Sequence, residues 1–282
     1  MKIFDMHIHT GCGEPQPEKL IDSMQSAGVY GGAIISACPE DSTAALFSLP
    51  YSERLKNVLA WTKNDRLFPV LWVSPFENDI ENKIKNASLE GIRAFKIICD
   101  SFYVYSPENM RLLEAIESIS LPVIFHSGIL WSGTDTSRFN RPADWECLLN
   151  LESIKFSMGH CSWPWHDECI AVYGKFLNSY LSGKSSEMFF DITPGTPKIY
   201  REDLLTKLYT VGYDTENNIM FGTDSLCTEY DSDWVRSWLE LDGSIFDKLN
   251  ITAEQREKVY SKNFLRFISG DDVSHKLPQM NR

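Results

Sequence analysis

From its first residues the chain alternates between short apolar runs and longer stretches in which apolar positions recur every three or four residues. The runs at 2–8, 30–37, 68–73, 92–99, 121–126, 154–159, 188–193 and 218–223 are mostly rich in β-branched and aromatic residues. Such runs fit strands buried on both faces, as in a parallel sheet covered by helices. Between them the spacing predicts helices at about 17–27, 51–64, 78–89, 107–119, 142–151, 165–181, 200–211 and 231–241. Pro107 and Pro142 open two of these, at positions where a missing backbone N–H does no harm. Two short helices are expected after them, near 252–260 and 261–268. Repeated βα units predict an α/β protein, either a doubly wound sheet or a (β/α)8 barrel, and the strand count alone leaves both open.

The 282 residues suit one barrel domain spanning 1–282, with 271–282 (DVSHKLPQMNR and its flank) expected to be a loose polar tail. An apolar content of 43% and a charged content of 23% are those of an ordinary globular protein. The net charge of −12 argues against nucleic acid, which calls for a clustered basic face, and no basic run occurs. Seven cysteines without a C-x-x-C pair point to a reducing compartment. Strand-like sequence starts at Lys2, so no signal peptide is expected, and no apolar run approaches the roughly 20 residues of a membrane helix. The expected location is the cytoplasm.

In a parallel barrel the C-terminal strand ends face the active site, so polar residues there are the candidates for chemistry. They are His7, His9, Lys96, His126, His160, Asp191 and Asp224. In His7-Ile8-His9 the two imidazoles stand at i and i+2 and point the same way along a strand. Two buried imidazoles side by side are costly unless they share a cation or a hydrogen-bond network. His126, His160 and Asp224 are weak signals singly: a lone strand-end histidine is commonly structural, and Asp224 fits a helix N-cap. Together they make a set of imidazoles plus a carboxylate suited to Zn²⁺ or a similar first-row ion.

FDMHIHTG, PVIFHSG, MGHCSWPWHDECIAVY, FFDIT, NIMFGTDS and SKNFLRFI follow one another along nearly the whole chain. In this order and spacing the sequence resembles the amidohydrolase superfamily, specifically its amidohydrolase-related branch, which holds hydrolases and aminocarboxymuconate-semialdehyde decarboxylase-like enzymes. The resemblance implies a (β/α)8 TIM barrel of the metal-dependent hydrolase type. It implies His7, His9, His126 and Asp224 as ligands of one divalent ion, foremost Zn, with Mn, Fe or Ni as alternatives. His160 matches the catalytic histidine, and Asp224 would double as general base. Trp165, Asp167, Glu168 and Asp191 match recurring loop and strand-end positions, and Asn263 a closing-helix position. In other branches a carboxylated lysine bridges two metals, and Lys96 stands at about that place. A plain ammonium that binds substrate is the preferred reading here, with a binuclear site left open.

Mouth loops offer Tyr103, Trp131, Arg138, Arg141 and Trp163 for substrate binding, an arginine being suited to grip a carboxylate. The expected partner is a small molecule, with neither nucleic acid nor membrane, and a homodimer is compatible. Two reactions compete on this scaffold. One is hydrolysis of an amide, lactone or ester of a small carboxylated molecule through metal-activated water. The other is non-oxidative decarboxylation of an aromatic or unsaturated acid. A TatD-type nuclease also opens with H-x-H, but carries a glutamate where this chain has Lys96. A catalytically silent metal-binding barrel is the remaining reading.

Overall fold

A computed structural model describes residues 1–44, 47–195 and 197–269. The 271–282 tail lies outside them. Strands and helices alternate as expected: β1 (Phe4–His9), α1 (Pro17–Ser26), β2 (Gly31–Ile35), α2 (Tyr51–Trp61), β3 (Leu67–Trp72), α3 (Ile80–Leu89), β4 (Ala94–Ile97), α4 (Pro107–Glu117) and β5 (Val123–Phe125). They continue as β6 (Lys155–Met158), α5 (His166–Leu177), β7 (Glu187–Asp191), α6 (Arg201–Thr210), β8 (Ile219–Met220), β9 (Ser225–Leu226), α7 (Ser232–Lys248), α8 (Ala253–Glu257) and α9 (Asn263–Ser269). Every pairing is parallel, in the order β8-β7-β6-β5-β4-β3-β2-β1-β9.

The expected eighth strand at 218–223 is split. β8 pairs with β7, the chain leaves the ladder over residues 221–224, and β9 then pairs with β1. Met6 N–H donates to Phe221 O at 3.0 Å and Asp224 N–H to His7 O at 2.9 Å, so the two pieces together close the ring against β1. The strand order and this closure make the fold a TIM barrel.

The helix expected at 142–151 is a 3-10 run, Pro142–Asn150. Its buried residues Pro142, Trp145 and Leu148 recur every third position, which matches three residues per turn rather than 3.6. The expected helix near 252–260 gives way after α8 to a π turn at Lys258–Lys262.

Two apolar layers hold the barrel. One lies between strands and helices and includes Ile34, Leu71, Phe95, Phe125, Phe156 and Phe190. The other fills the interior with Phe4, Met6, Ile35, Val70, Ile124 and Phe189, and α9 plugs its lower end. There Phe264 stacks on Phe4 at 5.2 Å and Phe267 meets Phe189 edge-on at 5.1 Å. Asn263 ties the plug to the wall by donating to Glu216 O and Ile219 O. No helix among the described residues is long and apolar enough to cross a membrane.

Candidate metal centre at the barrel mouth

β1 carries an irregularity that decides where its histidines go. Asp5 pairs with Gly32 and Ile8 with Ile34, so Met6 and His7 together oppose Ala33 alone. This is a β-bulge, a device that puts two consecutive side chains on one side of a sheet. Met6 packs in the interior layer, and His7 also turns inward to reach Lys96 and Asp191. His9 follows at i+2 and is 21% exposed toward the mouth, whereas His7 is 1% exposed.

His7, His9 and Asp224 each offer a ligand atom within 4.8 Å of the other two, the metal-competent group among the described residues. His9 Nε2 is 3.4 Å, and His7 Nε2 3.7 Å, from Asp224 Oδ1. Asp224 occupies the left-handed region at φ 59°, where an L residue costs about 1–2 kcal/mol. Desolvation by the surrounding protein would raise its carboxyl, but the His9 hydrogen bond and the nearby His7 and His160 hold it well below the usual range.

Behind this set, His7 Nδ1 lies 2.7 Å from Asp191 Oδ2, with both groups buried. Burial pushes His7 down to about 4, keeping it neutral, while the same contact holds Asp191 low and charged against its own burial. A carboxylate only accepts, so Nδ1 carries the proton and Nε2 keeps its lone pair toward Asp224. Such carboxylate–imidazole pairs orient metal ligands and raise their basicity. The donor set therefore fits a divalent cation of the Zn²⁺ type.

Lys96 is buried with Nζ 3.3 Å from His7 Nε2, and burial lowers it to about 8. It belongs to the centre rather than to the mouth rim. His126 stands apart from the three-residue group: its Nε2 faces Ile129 O at 3.2 Å, in its own loop. Its ring centroid is 5.0 Å from that of His160, which is 5.4 Å from that of His7. Nδ1 is the ring nitrogen that His126 leaves for a ligand.

His160 sits in a run of left-handed residues, with φ 58° at His160, 44° at Cys161 and 59° at Ser162. Strain of this kind persists only where the surroundings over-determine it. Here Ser127 Oγ donates to Gly159 O and lies 2.8 Å from Ser162 Oγ, His166 Nδ1 donates to Cys161 O, and Ile129 N–H donates to Trp163 O. His160 Nδ1 donates to Thr193 O at 3.3 Å, leaving Nε2 for proton exchange. A Cβ at Gly195 would stand 2.7 Å from Cγ and Nδ1 of the ring. Gly195→Ala is therefore expected to tilt the imidazole and cut turnover by roughly 10²-fold with the fold intact. Steady-state kinetics beside a thermal melt checks this, and wild-type kcat would rule the contact out as a constraint.

The expected substrate residues are spread around the rim. Arg141 pairs with Glu168 and lies over Trp165, while Arg138 pairs with Asp135 in an exposed i,i+3 contact. Tyr103 stacks on Tyr105 and meets Phe139 edge-on. Trp131 is 74% exposed and stacks on Trp163 with ring centroids 6.1 Å apart.

Asp191's grip on His7 exceeds the structural role expected of it, and Asp5 and Trp72 join the site without being among the expected residues. Trp72 ends β3 with its ring 6.1 Å from that of His9. The available signal for Asp5 was an acid inside an apolar strand, two residues before His7. The seven cysteines form no disulfide, and burial pushes the thiols of Cys38, Cys99, Cys161 and Cys227 up, away from thiolate ligation.

Residues 50–268 match the family described as Amidohydrolase. No curated protein matches the chain. Among solved structures, 4-oxalomesaconate hydratase from Rhodopseudomonas palustris has a TM-score of 0.60 at 14% identity, over 95% of each chain. Dihydroorotase from Campylobacter jejuni has a TM-score of 0.57 at 16% identity, over 95% of this chain and 83% of that one. A mutant organophosphorus hydrolase from Deinococcus radiodurans has a TM-score of 0.54 at 14% identity, over 95% of this chain and 92% of that one. At these identities the likeness is one of fold.

Proposed function

The chain belongs to the amidohydrolase family, and from that premise we propose that it is a metal-dependent hydrolase cleaving an amide, lactone or ester of a small carboxylated molecule. The observation that carries this reading is the convergence of His7, His9 and Asp224, with Asp191 fixing the tautomer of His7. His7 Nε2, His9 Nε2 and an Asp224 oxygen would hold the ion, joined by His126 through Nδ1.

A divalent ion bound there supplies carbonyl polarisation and acidifies water to a pKa of about 7. The protein's own part is proton management. Asp224, held ionised beside the histidine pair, takes a proton as general base. His160 Nε2 delivers a proton to the leaving group, its ring pinned through Nδ1 to Thr193 O. Lys96 Nζ offers a buried positive charge for the substrate's carboxylate or a developing oxyanion. The metal preferred by the donor set is Zn²⁺, one per chain, since nitrogen and carboxylate ligands in this number suit it.

Decarboxylation is the weaker reading. It calls for a cationic clamp on the leaving carboxylate, and with the two mouth arginines paired to Glu168 and Asp135 only Lys96 is left for that role.

The test is metal content by elemental analysis together with turnover over a panel of esters, lactones and amides, before and after chelation. About one ion per chain and chelator-sensitive hydrolysis are expected. Failure to take up metal from supplemented medium would overturn the metal centre. Metal uptake with carbon dioxide release, and no hydrolysis, would transfer the reaction to decarboxylation. His160→Asn is expected to retain the metal and lose about 10²–10⁴-fold in kcat. Wild-type kcat in that variant would remove His160 from proton transfer.

A further inference from the structure

Asp5 is fully buried on β1, yet it touches no ligand atom of the candidate centre. Its four hydrogen bonds go to three residues. Oδ1 accepts His7 N–H at 3.1 Å and Thr223 N–H at 3.0 Å, and Oδ2 accepts the Thr223 hydroxyl at 2.5 Å and the Tyr230 hydroxyl at 3.0 Å.

The two backbone donors are those that ladder pairing fails to serve. His7 is in the β1 bulge, where an extra residue leaves an N–H without a strand partner. Thr223 is in the 221–224 excursion between β8 and β9, immediately before Asp224. A buried backbone N–H without an acceptor is costly, so each irregularity needs a local acceptor. One oxygen of Asp5 serves both.

Resting on the metal-centre reading, we infer that Asp5 is a positioning residue: its carboxylate locks the β1 bulge to the β8–β9 break and so sets the spacing between His7 and Asp224. The bulge aims His7 inward, and the break carries Asp224 in its left-handed conformation. Asp224 N–H donates to His7 O, and Gly222 approaches so closely that a Cβ there would lie 3.1 Å from His7 Cβ. The Oδ2 contacts extend the clamp: the Thr223 hydroxyl lies 2.7 Å from Ser225 Oγ at the start of β9, and Tyr230 stands just before α7. The Asp5 carboxylate thus reaches across 218 residues of sequence to Thr223.

The geometry separates two substitutions at this position. Asp5→Asn can keep the Oδ1 acceptor for both backbone donors and turn its amide toward hydroxyls, which accept as well as donate. Asp5→Leu leaves both N–H groups unpaired. Thr223→Val removes one hydroxyl from the clamp while keeping the shape of the side chain. Asp242→Asn, outside the site, is the control for stability loss alone.

The full chain would be stripped with chelator, and Zn²⁺ affinity measured by indicator competition well below each variant's melting temperature. Asp5→Asn is expected within a few-fold of wild type, Thr223→Val several-fold weaker, and Asp5→Leu about 10–100-fold weaker, the range for removing support behind a metal ligand. Asp242→Asn should lower the melting temperature without moving affinity. In the stripped protein, the His7 Nδ1–H signal in ¹⁵N-edited NMR is expected to move in Asp5→Leu and Thr223→Val, and to stay in Asp242→Asn. Wild-type affinity and an unmoved signal in Thr223→Val and in folded Asp5→Leu would overturn the inference. Should Asp5→Leu not fold, Thr223→Val decides. A wild-type chain that takes no Zn²⁺ would sink the metal reading instead, while the His7 signal still reports whether Asp5 positions that ring.

Discussion

His7→Ala is expected to abolish stoichiometric metal and to lower turnover by about 10³-fold or more. Loss of a Lewis acid forfeits several kcal/mol of transition-state stabilisation, and each 1.4 kcal/mol is tenfold in rate. The variant also leaves Asp191 without its imidazole partner in a fully buried position, so the fold should weaken. His9→Ala separates the two effects. His9 is 21% exposed and hydrogen-bonds no buried carboxylate of the second row, so it should lose metal with a smaller change in melting temperature. Elemental analysis and calorimetry on both variants check this. Wild-type metal content in both would remove the H-x-H pair from the centre.

The largest effect on stability is expected at Arg201 and Asp242. Arg201 Nε and Nη2 reach Asp242 Oδ1 and Oδ2 at 2.6 and 2.7 Å, and Arg201 Nη1 donates to Ile192 O. Both side chains are buried, and the guanidinium lies 5.3 Å from the Trp238 ring. Removing one partner of such a pair leaves an uncompensated buried charge, at a cost of about 3–5 kcal/mol. Asp242→Ala should therefore lower the melting temperature by on the order of 10 °C for a chain of this size. The double variant Arg201→Met/Asp242→Leu should recover much of the loss, because it removes both desolvated charges. Equal losses in single and double variants would show that packing, rather than the unpaired charge, sets the cost. The pair joins α6 to α7, and Arg201 also holds the Ile192 carbonyl, so its loss is expected to show in global stability.

Much of the centre was legible because its signals are local. His7, His9, Lys96, His126, His160, Asp191 and Asp224 stand at strand ends in the sequence and gather at one barrel mouth. The arginines were not legible in the same way. Arg138 and Arg141 occupy mouth loops, but the choice between a substrate and Asp135 or Glu168 depends on how loops from different βα units meet. Glu168 lies on α5, 27 residues beyond Arg141. The Pro142–Asn150 segment shows a subtler limit: Pro142 marks a helix start, but its three-residue burial repeat selects the tighter 3-10 winding once it packs on the barrel.

The sequence by itself determined the βα rhythm, the placement of candidate catalytic residue types at strand ends and the shared direction of His7 and His9, because each follows from backbone periodicity within a few residues. Only the tertiary structure decided the β1 bulge, the split of the last strand and the carboxylates behind the candidate metal set. His7 meets Asp191 across 184 residues and Asp5 meets Thr223 across 218. These contacts exist only after the ring closes and each buried backbone donor must find an acceptor. Periodicity carries no record of which distant group supplies it.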